Sequence, residues 1–190
     1  MAIRLLALCG SARRGSINRR LLDLAATRAR AVGAEVTMFE LAADTLPLFD
    51  EDREAAEGLP AAAVALKAQI RDHDGLLIAS PEYNGFFTPL LKNAIDWVSR
   101  PEPGKTFPYT GKAAALLAAS EGGLGGIRGL PNLRVLLSTL GVTVSPTQLA
   151  LARAHQAYAA DGNLADPALA ALLDKCVADL LRLCEGLKAA

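Results

Sequence analysis

The sequence is poor in the side chains that hydrolases and transferases use as nucleophiles and proton carriers. Three cysteines and two histidines occur in 190 residues. There is no Gly-x-Ser-x-Gly elbow, no His-Glu-x-x-His pair and no Cys–His pair near a polar loop. Cys9, Cys176 and Cys184 form no Cys-x-x-Cys motif and no disulfide framework. Cys176 and Cys184, two helical turns apart, read as small core residues. An excess of charge is missing too. Lys plus Arg (20) balances Asp plus Glu (20), so there is no electrostatic footprint for nucleic acid or an anionic membrane. No apolar run is long enough to span a bilayer. Leu6-Ala7-Leu8-Cys9-Gly10 superficially matches a lipoprotein cleavage site, but its apolar run is shorter than the ~7–15 residues of a secretory core segment. The expectation is a cytoplasmic protein handling a small molecule. With 52% hydrophobic residues, no repeat and no linker, residues 1–190 read as one domain.

What is present is a series of short apolar runs, each ending in a polar loop and a helix start. Gly75-Leu76-Leu77-Ile78-Ala79 is uniformly apolar, as a strand buried on both faces must be. Downstream, Leu91, Ala94, Ile95 and Val98 recur at helical spacing, with Thr88 as N-cap and Pro89 at the first helical position. Between them, Ser80-Pro81-Glu82-Tyr83-Asn84-Gly85-Phe86-Phe87 holds a carboxylate, a phenol, an amide and a permissive glycine. Ligands of open α/β sheets bind beyond the carboxyl ends of strands, where this loop falls.

Residues 3–9 form an earlier apolar run that leads into Gly10-Ser11-Ala12-Arg13-Arg14-Gly15-Ser16-Ile17-Asn18. The helix that follows places Leu22, Ala25, Ala29 and Val32 on one face and stops at Gly33. A helix N-terminus behind a small polar loop offers free N–H groups and a positive dipole end to an anion. Ser11, Ser16 and Asn18 can add neutral donors, and Arg13 or Arg14 a full charge. Gly10 and Gly15 have the separation of a Walker A loop, but no Lys-Ser/Thr follows, so no lysine reaches a γ-phosphate. The dinucleotide glycine fingerprint is absent as well.

Residues 35–41, 112–120 and 142–144 read as the remaining strands. The alanine-rich run 112–120 is assigned so because it is short, uniformly apolar and bounded by glycine. Helices are expected from Pro60 to His73, over 127–140, and from an Asp166 cap onward. His73, at a helix end, reads as structural. Asp50-Glu51-Asp52 reads as a solvated loop, since no further metal ligand has suitable spacing. Glu121-Gly122-Gly123-Leu124-Gly125-Gly126 would let backbone approach a flat ligand closely.

Two of these stretches carry a family resemblance. Ser80-Pro81-Glu82-Tyr83-Asn84, followed by Leu91-Lys92-Asn93-Ala94-Ile95-Asp96-Trp97, resembles the hallmark of the NADPH-dependent FMN reductase family. Gly10, Ser11, Arg13, Ser16 and Asn18 match that family's phosphate loop at every specified position. The resemblance spans roughly residues 3–148. It implies an α/β, flavodoxin-like, doubly wound five-stranded parallel sheet in the order 2-1-3-4-5, with FMN as cofactor and NADPH or NADH as co-substrate. It places Ser11, Arg13, Ser16, Ile17 and Asn18 at the phosphate. Pro81, Glu82, Tyr83, Asn84 and Gly85 would contact ribityl and ring, and Ser120, Gly122 and Gly123 would close the other side. No protein side chain is expected to be catalytic and no metal is expected, because the cofactor carries the chemistry. Electrons would pass to a small acceptor such as a quinone, azo dye, metal oxyanion or free flavin.

One departure from the family is the Phe87-Thr88-Pro89-Leu90 entry to the central helix, which leaves Phe86 and Phe87 for the ring face, a subunit contact or the core. Two apolar stripes on that helix, the second holding Leu90 and Trp97, suggest a homodimer or dimer of dimers. Two rival readings are a non-catalytic FMN electron carrier and a flavin-free hydrolase or transferase using Glu82 or Asp96.

Overall fold

Three uniformly apolar runs become the middle of a sheet because each can be covered on both faces. The computed structural model describes residues 2–42 and 46–189. Its strands are β1 (Arg4–Cys9), β2 (Glu35–Phe39), β3 (Gly75–Ala79), β4 (Ala113–Ala119) and β5 (Thr143–Leu151). All neighbours are parallel and the order is β2-β1-β3-β4-β5. This is the flavodoxin order expected from the sequence. The helices are α1 (Ile17–Ala31), α2 (Glu51–Glu57), α3 (Ala61–Asp72), α4 (Pro89–Ser99), α5 (Gly129–Thr139) and α6 (Pro167–Ala189).

Strand alternation divides the core in two. Leu5, Ala7 and Cys9 of β1 join Leu77 and Ala79 of β3 under α1 and α6. Leu6 and Leu8 join Leu76 and Ile78 under α3, α4 and α5. All seven residues of β4 are buried. Alanine's helical preference loses there to ladder pairing with β3 and β5 on both sides. The stretch that mimics a lipoprotein cleavage site is thus the sheet's inner strand. All three cysteines are free and buried. Burial pushes the Cys176 thiol up to about 11 and the Cys184 thiol up to about 12, which keeps both protonated.

Four expectations need correction. The segment 50–57 is not a plain loop: Asp50 accepts from the backbone N–H groups of Asp52 and Arg53 and caps α2. The acidic run is therefore a helix start, where carboxylates favour the dipole. The described residues consequently hold six helices, not five. Strand β5 runs to Leu151, because Pro146 sits on an edge strand that needs no N–H there. Val32 is the C-cap of α1 and is exposed, while Leu21 and Ala26 take the inward face.

Candidate functional site

Loops at the carboxyl ends of β1, β3 and β4 meet because those strands are neighbours. The β1–α1 loop is anchored at both ends. Thr88, the N-cap of α4, donates its hydroxyl to the Gly10 carbonyl at 2.6 Å and accepts from Leu91 N–H. The fit is tight enough that a Cβ on Gly10 would lie 2.9 Å from Thr88 Oγ1, so glycine is required there. At the other end Asn18 is buried. Its Nδ2 donates to the Ala119 carbonyl at 2.8 Å, and its Oδ1 accepts from Ala119 N–H at 2.9 Å. The Asn18 amide thereby ties the first loop to β4, and its second Nδ2 proton and its backbone N–H are what it can offer a ligand.

The cradle between these anchors has donors to spare. Ser16 Oγ caps α1 by accepting from Arg19 N–H, and Ser11 Oγ accepts from Arg13 N–H. Both hydroxyl protons remain available. The N–H groups of Ile17 and Asn18 meet no acceptor among the described residues. The Arg13 side chain is exposed and has no ion pair among them. Neutral donors, a helix N-terminus and one guanidinium converge on one place, which suits a phosphate.

The second loop is a rigid hairpin. Tyr83 N–H donates to Phe86 O at 2.8 Å, and Phe86 N–H returns a bond to Tyr83 O at 3.0 Å. Asn84 (φ 53°) and Gly85 (φ 82°) occupy the two left-handed central positions, the pairing an Asn-Gly hairpin turn needs. Asn132 of α5 donates to Gly85 O and holds the turn against the next helix. Tyr83 and Phe86 stay half-exposed, at 51% and 47%. Phe87 points into the core and packs on Phe86 with centroids 4.6 Å apart.

Glu82 lines the crevice and is also tied to the start of α5. Its carboxylate accepts from Arg128 N–H at 3.0 Å and from Arg128 Nε at 2.6 Å, at the start of α5. Burial alone would raise its pKa. The Arg128 guanidinium and the N–H groups of Arg128 and Gly129 outweigh that and hold it below the ordinary 4.5.

A crevice of about 260 Å³ opens between the loops, lined by Ser11, Arg13, Ser16, Ile17, Asn18, Pro81, Glu82, Tyr83, Ala119, Ser120 and Glu121. Asn84, Gly85, Gly122 and Gly123 do not line it. Asn84 and Gly85 shape the hairpin instead. Gly122 and Gly123 have ordinary negative or extended φ, and an added Cβ would meet nothing closer than 3.8 Å. Neither backbone conformation nor the chain's own packing requires glycine there. Thr88, Arg128 and Asn132 are the supports that sequence reasoning missed. Thr88 read as a helix cap, and nothing in the sequence shows that its proton goes to Gly10.

Sheet order, a donor-rich cradle and an adjoining crevice together fit a flavodoxin-like flavin-binding protein. The model of the NADPH-dependent FMN reductase family matches residues 3–156, and the chain belongs to that family. It is accordingly an oxidoreductase with FMN as cofactor and NAD(P)H as electron donor. The chain is 36% identical over 169 residues to the probable NADPH:quinone oxidoreductase 2 of Oryza sativa subsp. japonica, covering 87% of this chain and 81% of that protein. It is 38% identical over 165 residues to an NAD(P)H-dependent FMN reductase of Pseudomonas aeruginosa, covering 86% and 85%. Among solved structures, the flavoenzyme NAD(P)H:(acceptor) oxidoreductase of Paracoccus denitrificans superposes with a TM-score of 0.84 at 28% identity, over 97% of this chain and 98% of that one.

Proposed function

We propose that the protein reduces small quinones with electrons from NAD(P)H. The observation that carries this is the aromatic lip that Tyr83 gives the crevice: its half-exposed ring lines the slot and is fixed by the Asn84-Gly85 turn, with Phe86 paired to it outside the lining. A planar, apolar ring with polar carbonyl edges is the acceptor such a lip favours. The quinone name of the rice relative supports the same class. FMN, when bound, would supply the two-electron redox chemistry between nicotinamide and acceptor. The protein's part is to hold the phosphate through the 10–18 loop, offer backbone to the ring at Ser120, and present the lip to the incoming ring.

Glu82 and Asp96 do not support a carboxylate-dependent hydrolase. Glu82 is held ionised by Arg128 and the α5 start, which argues against a general acid, and both its oxygens accept from Arg128, which argues against a free base or nucleophile. Asp96 pairs with Lys92 on α4 and does not line the crevice.

We also propose that two copies associate through the α4 side, with a smaller apolar contribution than the two stripes suggested. Trp97 is fully buried by its own chain: its Nε1 donates to Pro47 O at 2.8 Å and Phe49 meets its ring edge-on at 5.0 Å. Leu48 (77% exposed) and Phe86 are the apolar side chains left for a partner on that side.

The test of acceptor class is anaerobic. NADH or NADPH should bleach the flavin band, and a benzoquinone should restore it while accumulating as hydroquinone. Azo dye, chromate and free FMN should restore it more slowly. Faster reoxidation by any of these would assign the acceptor otherwise, and no reduction by either nucleotide would leave an electron carrier.

A further inference from the structure

The phosphate cradle opens on two sides. Toward β3 and β4 lies the flavin crevice. Toward β2 lies a second cavity of about 550 Å³, and Ser11, Arg13, Ser16 and Ile17 line both. A ligand that enters by the crevice and passes its phosphate through the cradle therefore emerges into this second space. FMN ends at the phosphate and does not use it.

The walls of the second cavity have a definite chemistry. Arg13, Arg14 and Arg20 reach it and have no carboxylate partner among the described residues; Arg20 lies 3.7 Å over the ring of Tyr158 instead. Arg19 is the paired one, bound to Asp23 at 2.8 Å and to Oε1 of Glu40. Glu40 directly follows β2, so it stands at the strand's carboxyl end with Oε2 free of donors among the described residues. In dinucleotide-binding sheets that carry the glycine fingerprint, an acidic residue at that end of the second strand accepts the hydroxyls of an adenosine ribose; this chain lacks the fingerprint, but Glu40 offers a carboxylate at the same strand end. Cations for a further phosphate and a fixed carboxylate for a vicinal diol stand in one cavity, continuous with the flavin phosphate site.

We propose, on the reading that the flavin phosphate lies in the 10–18 cradle, that the protein accepts FAD as well as FMN. Its second phosphate sits against Arg14 and its adenosine ribose against Glu40. An adenosine diphosphate moiety is also carried by the nicotinamide donor, and the experiment includes both.

The full-length chain, stripped of flavin, is titrated with FMN and with FAD by fluorescence quenching, in the wild type, Arg14→Ala and Glu40→Gln. FAD should bind within about tenfold of FMN. Each substitution should raise the ratio of the FAD to the FMN dissociation constant by roughly tenfold, the usual order for losing one charged hydrogen bond. FMN affinity, measured on the same variants, reports whether each has folded. FAD binding more than about a hundredfold weaker than FMN, or a ratio unmoved by both substitutions, overturns the proposal while leaving the FMN site intact. NAD⁺ that displaces FAD but not FMN supports it, since the two adenylates must then compete for this cavity. Failure to bind either flavin removes the phosphate reading itself.

Discussion

Asn18 shows how one residue can serve a site without facing it. Its amide satisfies both backbone groups of Ala119, across a hundred residues of sequence, and so fixes the spacing between the first and third loops. Removing it leaves a buried N–H and a buried C=O unpaired, at about 1–3 kcal/mol each before relaxation. Asn18→Ala should lower stability by about 2 kcal/mol or more in urea denaturation and weaken flavin binding with it. Asn18→Asp, which keeps the acceptor and loses the donor, should fall between. A neutral Asn18→Ala would show that the tie is not needed. Glu82 makes a pH prediction. Its pKa is lower in the folded chain than unfolded, so its contribution is present above the ordinary 4.5 and is lost as pH falls through the depressed value. Glu82→Gln should flatten that acid limb of the stability curve and leave the neutral-to-alkaline limb unchanged in shape. An unchanged acid limb would mean that Arg128 does not hold the carboxylate in solution.

At the scale of elements, the Tyr83–Phe86 hairpin is what makes the crevice lip rigid. Gly85 sits at φ 82°, and an added Cβ there would meet nothing within 4 Å, so the penalty for a substitution is conformational alone. Gly85→Val should cost about 1–2 kcal/mol, read as a lower thermal midpoint, whereas Gly85→Asn should cost less. Equal losses for both would point to packing instead. The sequence showed here only a polar loop with a permissive glycine; the Asn-Gly pair is the signal that marks the hairpin turn. β1, β3 and β4 were legible, because their continuous apolar runs have no solvent face to hide. β5 was legible for its first residues and then lost, because Ser145-Pro146-Thr147-Gln148 carries a break signal that an edge strand tolerates. α2 was missed because seven polar and small residues with none buried have no apolar period to detect. The Asn18–Ala119 and Glu82–Arg128 links were illegible for another reason. They join groups far apart in the chain through tertiary geometry, and local pattern reports none of that.

For the whole molecule, the covering of Trp97 by residues 46–49 changes what a dimer must bury. Asn93 helps to hold that segment, accepting from Phe49 N–H and donating to Pro47 O, both at 2.8 Å. Association should then depend on Leu48 and Phe86 more than on Trp97. Light scattering at micromolar concentration should give a dimer or larger for the wild type, and Leu48→Asp should shift it toward monomer. A wild-type monomer with FMN bound would refute the association. No helix among the described residues is long and apolar enough to cross a membrane.

The central claim is that the loop after β1 holds the flavin's phosphate, and paired titrations of FMN and riboflavin test it most directly. On this account Arg13 and Ser16 would each give the phosphate a charged hydrogen bond worth roughly 1.5–3 kcal/mol. Arg13→Ala should therefore weaken FMN by roughly ten- to a hundredfold. Ser16→Asp should weaken it further, because a carboxylate then faces the phosphate while still capping α1. Riboflavin has no phosphate and should bind both variants almost as it binds the wild type. Equal losses for the two flavins would contradict the account, since the loop would then act through the ring or the fold.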